Sequence, residues 1–144
     1  MIFTQSNWPF WLISFVDLSL RRRHDHVWIN YVSIDDYIHK ILRKSSIAVF
    51  VEQKQPVAYC LFYDNNTTLD FSFVSYIYVN RSFRASGFGS QLLESVEEYV
   101  LNKGFGQMLL EVDVKNSEAF EFYLRRGYCL RSIDGDKVGL KKIL

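Results

Sequence analysis

The chain has 144 residues, 49% apolar and 17% aromatic, enough to bury a sizeable core in a single domain spanning 1–144. Seventeen Lys and Arg against sixteen Asp and Glu leave a net charge of +1, which excludes a nucleic-acid partner held by a broad basic surface. Two distant cysteines, Cys60 and Cys129, lack metal-ligand spacing and suit reduced core thiols of a cytoplasmic protein.

Met1–Gln5 reads as a short first strand. Ser6 or Asn7 caps the following helix, Pro9 sits in its first turn, and the helix runs to about Arg23. Trp8, Trp11, Leu12, Phe15 and Leu18 recur at three- and four-residue steps, so the spacing places them on the core side. The run Phe10–Leu20 is too short to span a membrane and contains Asp17. Its positive charges, Arg21, Arg22 and Arg23, follow it, whereas a secretory signal carries them in front. No membrane partner is expected.

His24 and His26 flank Asp25, but no third metal ligand lies near, and a surface loop without metal is the expectation. Ser33 caps a second helix. Asp35 and Asp36 lie in its first turn and Lys40, Arg43 and Lys44 toward its end, the order a helix dipole favours. Tyr37, Ile38 and Ile41 form its apolar side.

The period then changes to that of strands: Ser46–Val51, Val57–Tyr63 and Leu69–Val79. The connections are short, so these three are antiparallel neighbours. A turn with Gly87 and Gly89 leads into a helix, Gly87–Asn102, with Leu92, Leu93, Val96 and Val100 at helical spacing. Gly104 stands where a left-handed cap is expected. Gln107–Val114 alternates, Met108, Leu110, Val112 and Val114 on one side, Gln107, Glu111 and Asp113 on the other, with Leu109 the exception. Asn116 or Ser117 caps a helix over Ser117–Arg126 that stops at Gly127. Tyr128–Ile133 and Val138–Leu144 are strands joined through Asp134, Gly135 and Asp136.

The fold class is therefore α/β (α+β): a largely antiparallel sheet with helices on it. One βαβ unit, Leu69–Val79 to Gln107–Val114, supplies a parallel pair. Its turn, Arg84-Ala85-Ser86-Gly87-Phe88-Gly89, gathers free main-chain N–H groups at the positive end of a helix, a place that holds phosphate. A nucleotide P-loop would need Lys-Ser/Thr next, but Ser90-Gln91 follows. A dinucleotide fingerprint would need a third glycine where Leu92 stands. A plain strand-to-helix turn is the remaining reading on spacing alone.

Arg-x-x-Gly-x-Gly at 84–89, after a strand ending in Val79, resembles the acyl-CoA pyrophosphate loop of the GNAT superfamily of N-acetyltransferases. A second stretch is similar to another signature of that family: Asn116, Ala119, Tyr123, then Gly127-Tyr128. Both occur in the expected order, and the resemblance covers roughly residues 46–133. It implies a mixed, mostly antiparallel twisted sheet of six or seven strands with about four helices. In that fold the parallel pair splays into a slot for acetyl-CoA, the co-substrate, with no metal.

On this resemblance, pantetheine pairs with the backbone of Ile77, Tyr78 and Val79, as an added strand would. The pyrophosphate lies on the amides of Ala85, Ser86, Gly87, Phe88, Gly89 and Ser90, with Arg84 adding charge. A Cβ at Gly87 or Gly89 would obstruct close approach. Asn116 touches the CoA arm as well as capping a helix. Tyr123 is the expected general acid toward the leaving thiolate; the alternative is a core tyrosine beside Phe120 and Leu124. Glu111 is the expected base, resembling the ribosomal-protein N-terminal acetyltransferase branch, and Asp113 on the same face is the alternative. Backbone N–H near Tyr78 or Val79 would stabilise the oxyanion.

The acceptor side matches the family least. Tyr31, Tyr37 and Tyr76 are candidates to line it, without a motif to select them. The implied reaction is acetyl transfer to a small-molecule amine, an amino sugar or amino-acid derivative. Transfer to a protein N-terminus or lysine, or non-catalytic acyl-CoA binding, are the alternatives. A second subunit completing the open side would make a homodimer.

Overall fold

The computed structural model describes residues 1–5, 7–24 and 33–144. The backbone order is β1 (Ile2–Phe3), α1 (Phe10–His24), α2 (Ile34–Lys44), β2 (Ser46–Glu52), β3 (Gln55–Tyr63), β4 (Ser72–Val79), α3 (Phe88–Asn102), β5 (Gln107–Asp113), α4 (Ser117–Leu124), β6 (Cys129–Asp134) and β7 (Lys137–Ile143). A 3-10 turn, Arg81–Phe83, lies between β4 and α3. The strands form one seven-stranded sheet in the order β1-β2-β3-β4-β5-β7-β6. Every pairing is antiparallel except β4 with β5. No helix among the described residues is long and apolar enough to cross a membrane.

The sheet separates two cores. Side chains of a strand alternate between faces, and here they feed both. Ile77, Val79, Met108, Leu110 and Val112 pack with Leu92, Leu93, Val96 and Val100 of α3 and with the partly buried Phe122 and Tyr123 of α4. Tyr59, Leu61, Tyr76 and Tyr78 pack on the other side with Leu12, Val16 and Leu20 of α1 and Ile38 and Ile41 of α2.

Helix ends follow local chemistry. Pro9 has no N–H to lose at a first turn, and its carbonyl accepts from Leu12 and Ile13. The Ser33 side chain accepts from the Asp36 amide at 3.2 Å, satisfying one free donor of α2. Phe105 N–H returns to Val100 at 3.0 Å past Gly104, whose φ is +104°, the left-handed stop expected of a glycine there. Gly127, at φ +91°, ends α4 in the same way, and the regular helix closes at Leu124, two residues before the expected Arg126.

The structure corrects the facing of α1. Leu12, Val16 and Leu20 are the buried stripe, four residues apart, with Trp8 just ahead of them. Trp11 is 44% exposed and Leu18 50% exposed, and Phe15 lies at the margin. Trp11 instead meets Phe3 edge-on, ring centroids 6.4 Å apart. Cys129 is also corrected: Cys60 is buried, but Cys129 is exposed on the edge strand β6. Val114, placed on the apolar side of β5, lies beyond the strand and is exposed. Asp25 and His26 fall outside the described residues, as does Tyr31. Among the described residues no cluster suits a metal ion.

One buried carboxylate ties the edge of the sheet to α3. Asp64 is 4% exposed and accepts from Gln5 Nε2 at 2.7 Å, Ser46 Oγ at 2.8 Å and Lys103 Nζ at 2.7 Å. Burial by itself would raise its pKa; the donors of Lys103, Ser46 and Gln5 outweigh it and hold the carboxyl below the ordinary aspartate range.

The decisive feature for function is a register shift in β4. Leu61 pairs with Tyr76, yet the next residue, Phe62, pairs with Val74, so Ser75 is an extra residue. Such a bulge bends the strand that carries it. The parallel pairing with β5 stops at the same point: Ser72 with Met108, Phe73 with Leu109, Val74 with Leu110, and none after. From Ser75 onward β4 remains paired with β3 only, and the two parallel strands part.

Candidate active site

The fork between β4 and β5 opens into a cleft of about 780 Å³. Its floor is the end of β4 (Ile77, Val79). One wall is the loop and first turn of α3 (Arg84, Ala85, Gly87, Phe88, Gly89, Ser90), and the other is α4 with its cap (Asn116, Ala119, Phe122, Tyr123, Arg126). Ten of the thirteen expected site residues thus meet in one cleft. Tyr78, Ser86 and Glu111 do not line it.

The loop is a concave array of donors. Ala85 sits at φ +61° and Gly87 at φ +88°, left-handed conformations of the kind found in anion-binding nests. Ala85, Ser86 and Gly87 donate to no main-chain acceptor among the described residues. Phe88, Gly89 and Ser90 hold the free N–H groups of the first turn of α3, whose first internal bond is Gln91 N–H to Gly87 at 3.1 Å. Six successive amides are therefore left without a main-chain acceptor at a helix N-terminus, and five of them belong to residues that line the cleft, which suits a diphosphate.

The two glycines have different reasons. A Cβ on Gly87 would be open, 3.8 Å from the Gln91 amide nitrogen, so its demand is the left-handed backbone. Gly89 has an ordinary backbone, and its Cβ would touch Phe122 at 3.4 Å and Val79 at 3.7 Å. Its absence keeps the helix start close to strand and helix together.

Arg84 turns back rather than outward: its Nε donates to the Val79 carbonyl at 3.0 Å and fastens the loop to the strand end. Ser86 Oγ donates to the Phe83 carbonyl. Asn80 N–H donates to Val57 at 2.7 Å. In an antiparallel ladder the bonding edge alternates, so Tyr78 also addresses β3, while Ile77 and the Val79 N–H face the cleft, the Val79 carbonyl being taken by Arg84. The Tyr78 side chain stacks on Tyr59, centroids 5.3 Å apart, on the opposite face.

Arg126 escaped the sequence reading. It donates through Nε to Ser90 Oγ at 2.8 Å and through Nη1 to the Phe122 carbonyl at 2.7 Å, and lies 3.6 Å over the Phe122 ring. A cation is thereby fixed beside the first turn of α3. Only contact between α4 and α3 brings it there; the Arg125-Arg126 pair before Gly127 was the available hint.

Tyr123 projects from α4 into the cleft. Its ring meets Phe122 at 5.1 Å and Tyr128 at 5.6 Å, both edge-on. Its hydroxyl makes no hydrogen bond among the described residues. Burial raises its pKa well above that of a free phenol, Cys60 adds to the rise, and Arg126 offsets part of it. The group is a protonated donor at any physiological pH. Asn116 caps α4, accepting from Ala119 N–H at 3.1 Å, and also borders the cleft.

Glu111 follows Leu110, the last residue of β5 paired with β4. It stands at the fork, on the face opposite α3 and α4, exposed and without a partner among the described residues. Asp113, two residues on, is engaged: Lys137 Nζ lies 3.9 Å away and Lys115 N–H donates to it at 2.9 Å. The bulge places Ser75 on this same face, where Tyr37 OH lies 3.5 Å from Ser75 Oγ. Burial pushes the Tyr37 and Tyr63 phenols up, so this wall stays neutral. Tyr76 shares the face.

A sequence model described as the acetyltransferase (GNAT) family matches residues 5–128. No curated protein matches the chain. Among solved structures, an aminoglycoside 6′-acetyltransferase type Ii is similar, with a TM-score of 0.80 and 17% identity over 99% of this chain and 96% of that one. A ribosomal-protein alanine N-acetyltransferase from Escherichia coli gives 0.75 and 16%, over 99% and 92%. A PaiA N-acetyltransferase from Thermoplasma acidophilum, solved with coenzyme A, gives 0.69 and 17%, over 92% and 91%.

Proposed function

The chain belongs to the acetyltransferase (GNAT) family, and from that premise we propose that it moves an acetyl group from acetyl-CoA to a primary amine of a small molecule, an amino sugar or amino-acid derivative. The single observation that carries this reading is the fork after Val74: a free strand edge that runs straight into an array of unsatisfied amides.

Pantetheine adds to the exposed edge of β4 through Ile77 and the Val79 N–H, as a short strand would. The diphosphate lies on the amides of Ala85 to Ser90. Arg126, held by Ser90, supplies positive charge beside it. This seating carries the thioester to the fork, between Tyr123 on one face and Glu111 on the other.

The reaction is a direct displacement. The amine nitrogen bonds to the thioester carbonyl carbon, and the carbon–sulfur bond breaks. The proton lost by the nitrogen goes to Glu111, directly or through water. Tyr123 gives its proton to the departing sulfur and recovers one from solvent, leaving an amide and free coenzyme A. An unpartnered carboxylate suits the base; Asp113, already engaged by Lys137 and Lys115, suits it less. One free carboxylate among neutral phenols fits a compact monocation.

Thermal shift with acetyl-CoA, followed by free-thiol release across an amine panel, tests the reading. Stabilisation by acetyl-CoA and amine-dependent thiol release are expected. Preference for short peptides over amino sugars would replace the small-molecule acceptor with a peptide. Binding without turnover on any amine would leave only an acyl-CoA-binding module.

A further inference from the structure

Glu111 belongs to a row that crosses three strands. It pairs with Gly139 of β7, and Gly139 pairs with Ser132 of β6. Directly paired residues share a face, so carboxylate, glycine and hydroxyl lie side by side, one strand from the fork. The next row, Asp113, Lys137 and Asp134, is also in register and carries the ion pair of Lys137 with Asp113.

Gly139 has no backbone reason to be glycine. Its φ is not in the left-handed region, and it is the third residue of a seven-residue strand. Glycine weakens a strand and often marks close approach of a ligand. Among the described residues a Cβ there would collide only with Ser132 Oγ, at 2.3 Å; the next atoms are at 3.6 and 3.7 Å. The Ser132 hydroxyl therefore leans into the position a side chain at 139 would take, and it makes no hydrogen bond among the described residues.

We propose that Ser132, standing over Gly139, holds the acceptor's amine beside Glu111, and that the missing side chain at 139 is what gives the hydroxyl room to reach it. The inference rests on the reading that the amine reacts at the fork next to Glu111. Strands lie about 4.8 Å apart, so a hydroxyl standing over Gly139 is about one strand spacing from the column of Glu111. Charge-assisted N–H···O bonds are about 2.8 Å long. A primary amine thus fits between the two oxygens, bonded to both. Ser132 orients the nitrogen and Glu111 takes its proton.

The probe is glycinamide, a minimal primary amine. Ser132→Ala should raise KM for glycinamide about tenfold and leave KM for acetyl-CoA unchanged. Adding Gly139→Ala to Ser132→Ala avoids the collision with Oγ, so the double variant should keep its melting temperature. Its new Cβ takes the room that Oγ leaves, so its glycinamide KM should match that of Ser132→Ala. A glycinamide KM within twofold of wild type in Ser132→Ala overturns the proposal. So does a double variant whose glycinamide KM rises a further tenfold, or a wild-type enzyme that acetylates other amines but not glycinamide. Loss of acetyl-CoA binding or full turnover by Glu111→Gln would instead sink the reading beneath it, and both are scored separately.

Discussion

Replacing Tyr123 with phenylalanine removes one oxygen and little else. The ring keeps its edge contacts with Phe122 and Tyr128, at 5.1 and 5.6 Å. The hydroxyl has no protein hydrogen-bond partner to abandon among the described residues, so stability should stay within about 0.5 kcal/mol of wild type. Loss of a positioned proton donor costs roughly 10²- to 10⁴-fold in rate, about 3–5 kcal/mol of barrier at 1.36 kcal/mol per decade. The assay is steady-state thiol release with saturating acetyl-CoA, alongside calorimetric coenzyme A affinity. We expect kcat to fall at least a hundredfold while coenzyme A affinity is kept. The pH profile adds a check of sign. Burial raises the Tyr123 pKa above the free phenol value of about 10. The donor is then intact at every pH below that, and the alkaline limb of the wild-type profile below pH 10 belongs to another group. Tyr123→Phe should lower the whole profile without moving that limb. A kcat within threefold of wild type would refute the assignment and leave Tyr123 as a packing residue.

Gly87→Val forces a β-branched residue to φ +88°, which costs about 1–2 kcal/mol and disturbs the array of amides. The variant should fold but gain no thermal stability from coenzyme A; an unchanged ligand shift would show that the loop does not hold the diphosphate. Asp64→Asn should cost about 2–3 kcal/mol at pH 7, the low side for a buried pair because Lys103 is 39% exposed. The folded pKa of Asp64 lies below its unfolded value of about 3.9. Its contribution is therefore complete above that value and disappears as pH falls through the folded pKa, so denaturant curves of wild type and variant should start to draw together only below about pH 4 and meet below the folded pKa. Leu12→Ala should cost about 2–5 kcal/mol, whereas Leu18→Ala should stay within about 0.5 kcal/mol. Equal losses in urea unfolding would mean that α1 faces the core differently.

The order of elements was legible because each carries its own period and punctuation. Ser33, Gly104 and Gly127 act within a few residues of their own position, and so do the glycines at 87 and 89. The loop at 84–89 and the run from Asn116 to Tyr128 are likewise local patterns, and together they identify both walls of the cleft. The side of α1 that faces the core is not local. Trp11 and Leu12 are both apolar neighbours on one helix, and the sheet beneath decides which is buried.

What the chain determined alone was therefore the succession of strands and helices and the turn chemistry that gathers free amides after β4. Hydrophobic period and main-chain strain act over a turn or two, and a sequence displays them directly. The tertiary structure decided the rest: the extra residue at Ser75 that parts β4 from β5, the seating of Arg126 on Ser90 and Phe122, and the alignment of Glu111, Gly139 and Ser132. Each of these depends on the register of segments between 7 and 36 residues apart along the chain or across a helix interface. A one-residue slip in strand pairing turns every side chain to the other face, and packing of the whole sheet sets that register.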